Sequence, residues 1–149
     1  MTFIYNDGGR ADAGYKGDAG DCVCRAISIA SKRPYQEVYN RLAEGNKNQR
    51  QSKKSKHKKI RSARNGISTS KKWFKDYMTE LGFEWVSCMG IGTGCKTHLD
   101  ANELPKGRLV CRVSKHLTAM IDGVIHDTYN PQRDTGRCVY GYWIYREGE

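Results

Sequence analysis

The sequence predicts an α+β fold with N-terminal helices packed on a C-terminal antiparallel sheet. Three observations predict it. Apolar residues recur at helical spacing in the first half, as at Tyr35, Val38, Tyr39 and Leu42. From Arg108 to Tyr145 the pattern changes to short alternating or apolar runs separated by turn residues. Among those runs, Asp122-Gly123 divides Lys115–Ile121 from Val124–Tyr129 as a two-residue hairpin turn.

The elements follow in order. A short strand is expected at Thr2–Tyr5, then an irregular glycine-rich loop. Asp21 is the predicted N-cap of a helix that opens at Cys22 and runs to about Ser31. Pro34 at an N1 position starts a second helix that continues to Gly45. A third helix begins near Thr69 or Ser70, carries Trp73, Phe74, Tyr77, Met78 and Leu81 on one side, and stops at Gly82. Phe83–Cys88 alternates like a strand. The glycine-rich stretch Met89–Cys95 only faintly resembles a phosphate loop, because it lacks the terminal Gly-Lys-Ser/Thr. Leu99–Leu104 is expected as a short helix. Strands follow at Arg108–Val113, Lys115–Ile121, Val124–Tyr129 and Arg137–Tyr145. No internal repeat is visible.

The whole chain, 1–149, reads as one domain interrupted by a basic, flexible loop at about 46–66. Between Asn46 and Lys75 lie twelve Lys or Arg and no Asp or Glu, leaving fourteen basic and sixteen acidic residues elsewhere. One segment therefore holds the entire +10 excess. Lys53, Lys54, Lys56, Lys58, Lys59, Arg61 and Arg64 form a candidate polyanion-binding set that would grip phosphates without reading sequence. No aromatic residue is interleaved with them, so base stacking is not expected.

No run of eighteen apolar residues occurs, which predicts no membrane span. The opening Met1-Thr-Phe-Ile-Tyr lacks a basic and then apolar leader, which predicts a cytoplasmic chain. Its six cysteines contain no Cys-x-x-Cys pair, so neither metal nor cofactor is expected. In a reducing compartment the thiols are expected free, with Cys24, Cys111 and Cys138 as small buried apolar groups. A disulfide-stapled secreted domain is the weakest reading.

The candidate chemistry begins at Cys22. A thiol in the first turn of a helix lies beside unpaired backbone N–H groups that favour its anion. Cys24 points about 200° around the same helix. The Asp122-Gly123 turn sets a register that pairs Ile121 with Val124, Met120 with Ile125 and Ala119 with His126, continuing to His116 and Tyr129. His116, Thr118, Asp127 and Tyr129 then share one face, and His126 falls on the other. Asp127 can hold one ring nitrogen of His116 and leave the other for a thiol. Asn130 is the alternative orienting residue. The Cys22 N–H offers half of an oxyanion hole, and Lys16 and Asn6 are candidates for the other half.

Gly20-Asp-Cys-Val-Cys-Arg-Ala-Ile27, taken with the His116 and Asp127 strands, resembles the papain-like cysteine peptidase fold in a minimal form. In that family the cysteine heads the first helix, and the histidine and its Asn/Asp partner lie on a following sheet. Lys16 stands where the papain type carries its oxyanion glutamine. The stretches Tyr5-Asn-Asp-Gly-Gly-Arg10, Ala63-Arg-Asn-Gly-Ile67 and Asp122-Gly-Val-Ile-His-Asp-Thr128 also resemble small uncharacterised tailed-phage and prophage proteins. The resemblances imply a Cys22–His116–Asp127 hydrolase or transferase working through an acyl-enzyme on an amide, isopeptide or thioester. They also imply a host cytoplasm as its location and a host protein as its substrate. The rival expectation is a non-catalytic papain-like module that contacts nucleic acid or an acidic host protein through residues 46–75.

Overall fold

The computed structural model describes residues 3–14, 21–48, 69, 71–89, 94–114, 116–132 and 137–146. Among them are three helices, α1 (Cys22–Ser31), α2 (Tyr35–Asn48) and α3 (Lys72–Leu81). Six strands accompany them: β1 (Phe3–Tyr5), β2 (Phe83–Ser87), β3 (Arg108–Val113), β4 (His116–Ile121), β5 (Val124–Asp127) and β6 (Gly141–Tyr145). The α+β class holds. The strands form one sheet in the order β1-β5-β4-β3-β6-β2.

That sheet is mixed, which corrects the purely antiparallel expectation. β1 lies parallel to β5, with Phe3 beside Ile125 and Tyr5 beside Asp127. The predicted hairpin register is present: Ile121 pairs with Val124, Met120 with Ile125 and Ala119 with His126. Asp122 and Gly123 have φ of 48° and 83°, left-handed at both turn positions, as a type I′ turn requires. The pairing ends at Ala119–His126 and does not continue to Tyr129.

Two apolar layers enclose the sheet. On one face Val110, Leu117, Ala119, Phe83 and Trp143 pack under the helices with Ile27, Val38, Leu42, Phe74 and Met78. On the other, Leu109, Cys111, Val113, Met120 and Ile125 pack with Leu99, Leu104 and Val139. β4 is buried on both faces along most of its length. α1 packs chiefly on β4, which brings the N-terminus of that helix to the start of the strand that begins at His116.

Several local expectations are corrected. Asp21 makes no side-chain cap on α1; its carboxylate turns inward to buried cations. Gly45 does not end α2. It lies inside the helix, where a Cβ would meet the Trp73 ring at 2.3 Å. α3 starts at Lys72, after Lys71 as N-cap, and Gly82 (φ 99°) closes it as expected. Asp100–Leu104 is a single turn, with the Glu103 and Leu104 N–H groups both on the Asp100 carbonyl, and no helix. Cys138 is bonded to Cys95, with Cα atoms 5.8 Å apart, so it is not the small apolar group expected. Cys22, Cys24, Cys88 and Cys111 are free.

Candidate active site

Cys22 is the first residue of α1 and half-buried. His116 is the first residue of β4 and 7% exposed. Asp127 is the last residue of β5 and 4% exposed. Three element ends therefore converge on one point, and the structure brings together the three residues that the sequence singled out.

The hydrogen bonds order them. Asp127 Oδ2 accepts from His116 Nε2 and from Thr118 Oγ1, both at 2.7 Å. Its Oδ1 accepts from the Thr128 N–H at 2.7 Å and faces Arg25 Nη2 at 3.8 Å. An ionised carboxylate can only accept, so Nε2 is the protonated ring nitrogen. Nδ1 is left for the Cys22 thiol, which hydrogen-bonds the His116 side chain. The Leu117 backbone N–H also reaches that sulfur. Tyr129 lies over the imidazole, with ring centroids 5.2 Å apart, and is half exposed.

The electrostatics follow from these contacts. Burial alone would raise the Cys22 thiol, but the bonds from His116 and the Leu117 N–H, with the charges of His116 and Arg25, bring it below its ordinary 9.0. Burial would lower His116; its bonds to Asp127 and Cys22 instead raise it from 6.5 to about 9. Asp127 is lowered, because the His116, Thr118 and Thr128 bonds outweigh its burial. Sulfur and ring thus shift in opposite senses, towards thiolate and imidazolium. Cys24 differs: it is fully buried in the core, and burial pushes it up to about 12.

A buried ionic cluster stands behind the triad. Asp21, 1% exposed, accepts from Arg25 Nη1 and from the Tyr35 hydroxyl, and pairs with Arg10 Nε at 3.0 Å. Burial and that hydrogen bond hold the Tyr35 phenol protonated, so it remains a donor. Arg25 spans Asp21 and Asp127 and ties α1 to the β5 end. Sequence reasoning missed Arg25, Arg10 and Tyr35. The i,i+4 spacing of Asp21 and Arg25 was the available signal.

The remaining candidates lie elsewhere. The Asn6 side-chain nitrogen bonds His126 Nδ1 at 3.2 Å, which engages the amide away from the thiol. His126 sits on the opposite face, as its parity in the hairpin requires, and burial lowers it. The Asn130 side chain accepts from the Gln132 N–H, so the orienting position belongs to Asp127. Lys16, Lys53, Lys54, Lys56, Lys58, Lys59, Arg61 and Arg64 fall outside the described residues. Among the described residues no group of three His, Cys, Asp or Glu is arranged to hold a metal ion, and no helix is long and apolar enough to cross a membrane. Comparison with protein-family models, curated proteins and solved structures finds no match to this chain.

Proposed function

We propose that this chain is a papain-like cysteine hydrolase or transferase. The observation that carries the reading is the continuous thiol–imidazole–carboxylate chain, with sulfur and ring polarised towards an ion pair. The Cys22 thiolate adds to the carbonyl carbon of an amide, isopeptide or thioester, and the π pair moves to oxygen. The Cys22 N–H, in the first turn of α1 and without an intrahelical partner, is a donor for that oxyanion. Collapse breaks the bond to the leaving group, which takes the proton from His116 Nδ1 and departs. The acyl group remains on sulfur. Water, or an acceptor nucleophile in a transferase, gives its proton to Nδ1 and releases the acyl group, regenerating the thiolate. Asp127 positions the ring and stabilises its cationic form. Arg25 positions Asp127.

The test is an activity-based screen of the full chain with carbonyl-directed thiol probes, read by mass spectrometry. A covalent adduct on Cys22, lost in Cys22→Ala, is the expected result. Labelling of Cys88 as fast as Cys22 would overturn the reading.

The basic run carries a second, separable reading, contact with a polyanion. Retention on DNA that survives Cys22→Ala, falls steeply with salt and is lost on deleting residues 47–64 supports it; retention unchanged by the deletion removes it.

A further inference from the structure

A cavity of about 200 Å³ is lined by Thr69, Lys75, Trp85, Arg112, Leu117 and Trp143. Leu117 belongs to both places. Its N–H bonds the Cys22 sulfur, and its side chain helps to wall the cavity. Leu117 therefore links the cavity to the nucleophile, on the helix-covered face of the sheet. The Asp127–His116 pair occupies the other face.

Its aromatic wall is set by backbone. Trp85 and Trp143 are register partners on β2 and β6, with ring centroids 5.2 Å apart. Gly141 pairs with Ser87 and Arg112, and a Cβ on it would meet the Trp85 ring at 2.3 Å. Only a glycine there lets the indole lie across β6. Trp85 remains 37% exposed at the cavity, a large apolar ring left open. Two cations stand on the rim, Lys75 from α3 and Arg112 from β3. Among the described residues no carboxylate lines the cavity and neither cation is paired with a carboxylate. A flat apolar wall with two cations is complementary to a flat apolar group that bears a negative charge.

We infer that this cavity is the acyl-group subsite of Cys22 and selects an aromatic or flat apolar acyl group carrying an anion. The inference rests on the proposed nucleophilic role of Cys22. Trp85 and Trp143 stack the group, Arg112 and Lys75 take its charge, and Leu117 fixes its carbonyl end at the sulfur.

Two alkylating probes test it, α-iodoacetanilide and its para-carboxylate, with iodoacetamide as the small neutral reference. In each, the Cys22 sulfur bonds the methylene carbon and iodide leaves. The para-carboxylate is expected to half-saturate Cys22 labelling at about a tenfold lower concentration than the uncharged anilide, in low salt. The double variant Lys75→Ala, Arg112→Ala should erase that preference, read as the ratio of the two anilides' half-saturating concentrations. Equal half-saturation in the unaltered protein, or a preference that survives the double variant, overturns the subsite. Slow iodoacetamide labelling of Cys22 would instead sink the nucleophile reading. In that event, quenching of tryptophan fluorescence by 4-acetamidobenzoate in Cys22→Ala decides the subsite alone. Saturable quenching lost in the double variant upholds it, and its absence removes it.

Discussion

Replacing His116 by alanine tests the coupling of thiol and ring directly. In the intact protein Cys22 is lowered from 9.0 against the effect of its burial, and His116 supplies the largest opposing contribution. In His116→Ala the burial stays, while the side-chain hydrogen bond and the imidazolium charge vanish. The Cys22 thiol then moves towards or above 9.0. At pH 6 such a thiol is at most about one part in a thousand ionised, and the thiolate is the species that alkylates. Against a largely ionised thiolate that is a loss on the order of a thousandfold, and at least a tenfold fall in labelling rate at pH 6 is expected. The assay is iodoacetamide modification followed by peptide mass spectrometry, with Cys88 as the internal half-buried reference. As pH rises through 9.0 the two rates should draw together, because the altered protein's thiol then ionises as well. A change below threefold at pH 6, with Cys88 reacting as fast as Cys22, would refute the argument.

Four further outcomes follow from the same contacts. Asp127→Asn keeps an acceptor but removes the charge, so the His116 titration followed by NMR should move down from about 9 towards 6.5; an unmoved titration refutes the positioning role. Arg25→Ala leaves the Asp21 carboxylate buried without one of its cations, at about 3–5 kcal/mol, which lowers Tm by roughly 6–20 °C; a shift under 2 °C contradicts it. Gly45→Ala gains about 1 kcal/mol of helix propensity but drives a Cβ into the Trp73 ring at 2.3 Å, so net destabilisation of about 1 kcal/mol or more in urea is expected; any stabilisation refutes the packing. In Cys22→Ser, where the coupled thiol is gone, the raised His116 contributes stability fully below about pH 6.5 and sheds it as pH rises through its folded value. The lowered Asp127 contributes above about pH 3.8 and sheds it as pH falls. Urea midpoints across pH should therefore decline at both ends, and adding His116→Gln should flatten the alkaline decline.

The hairpin was legible because its information is local. Asp122-Gly123 can adopt positive φ at both positions, and the two-residue turn sets the register that orders His116, Thr118 and Asp127 on one face. The helices were legible from their periodic apolar residues, and Cys22 as the first residue of α1. The misses all depend on residues far apart in the chain. β1 has three residues, too few to show a period, and its parallel partner lies about 120 positions later. Gly45 looked like a helix stop because glycine often is one; the Trp73 ring that requires it lies in another helix. Asp21 looked like a cap because caps are often Asp, but Arg10 and Tyr35 approach it only in the folded chain. Cys95 and Cys138 are 43 residues apart, and no spacing rule pairs them.

Cys22 and Cys24 share one helix and differ in chemistry, and burial does not explain the difference. Burial is the largest influence on both, and it acts in the same direction. Hydrogen-bond partners decide the outcome: His116 contributes most to lowering Cys22, and the Leu117 N–H that comes next is available because a ladder stops early. In a hairpin closed by Asp122-Gly123, Ile121 exchanges bonds with Val124, so Ala119 and Leu117 also direct their N–H groups towards β5. Had pairing continued past Ala119–His126, the Leu117 N–H would be bonded to Thr128. The strands instead part there, with Thr128 turned back onto the Asp127 carboxylate. The Leu117 N–H reaches the Cys22 sulfur instead. The early end of the β4–β5 ladder, together with His116, separates the lowered thiol from the raised one.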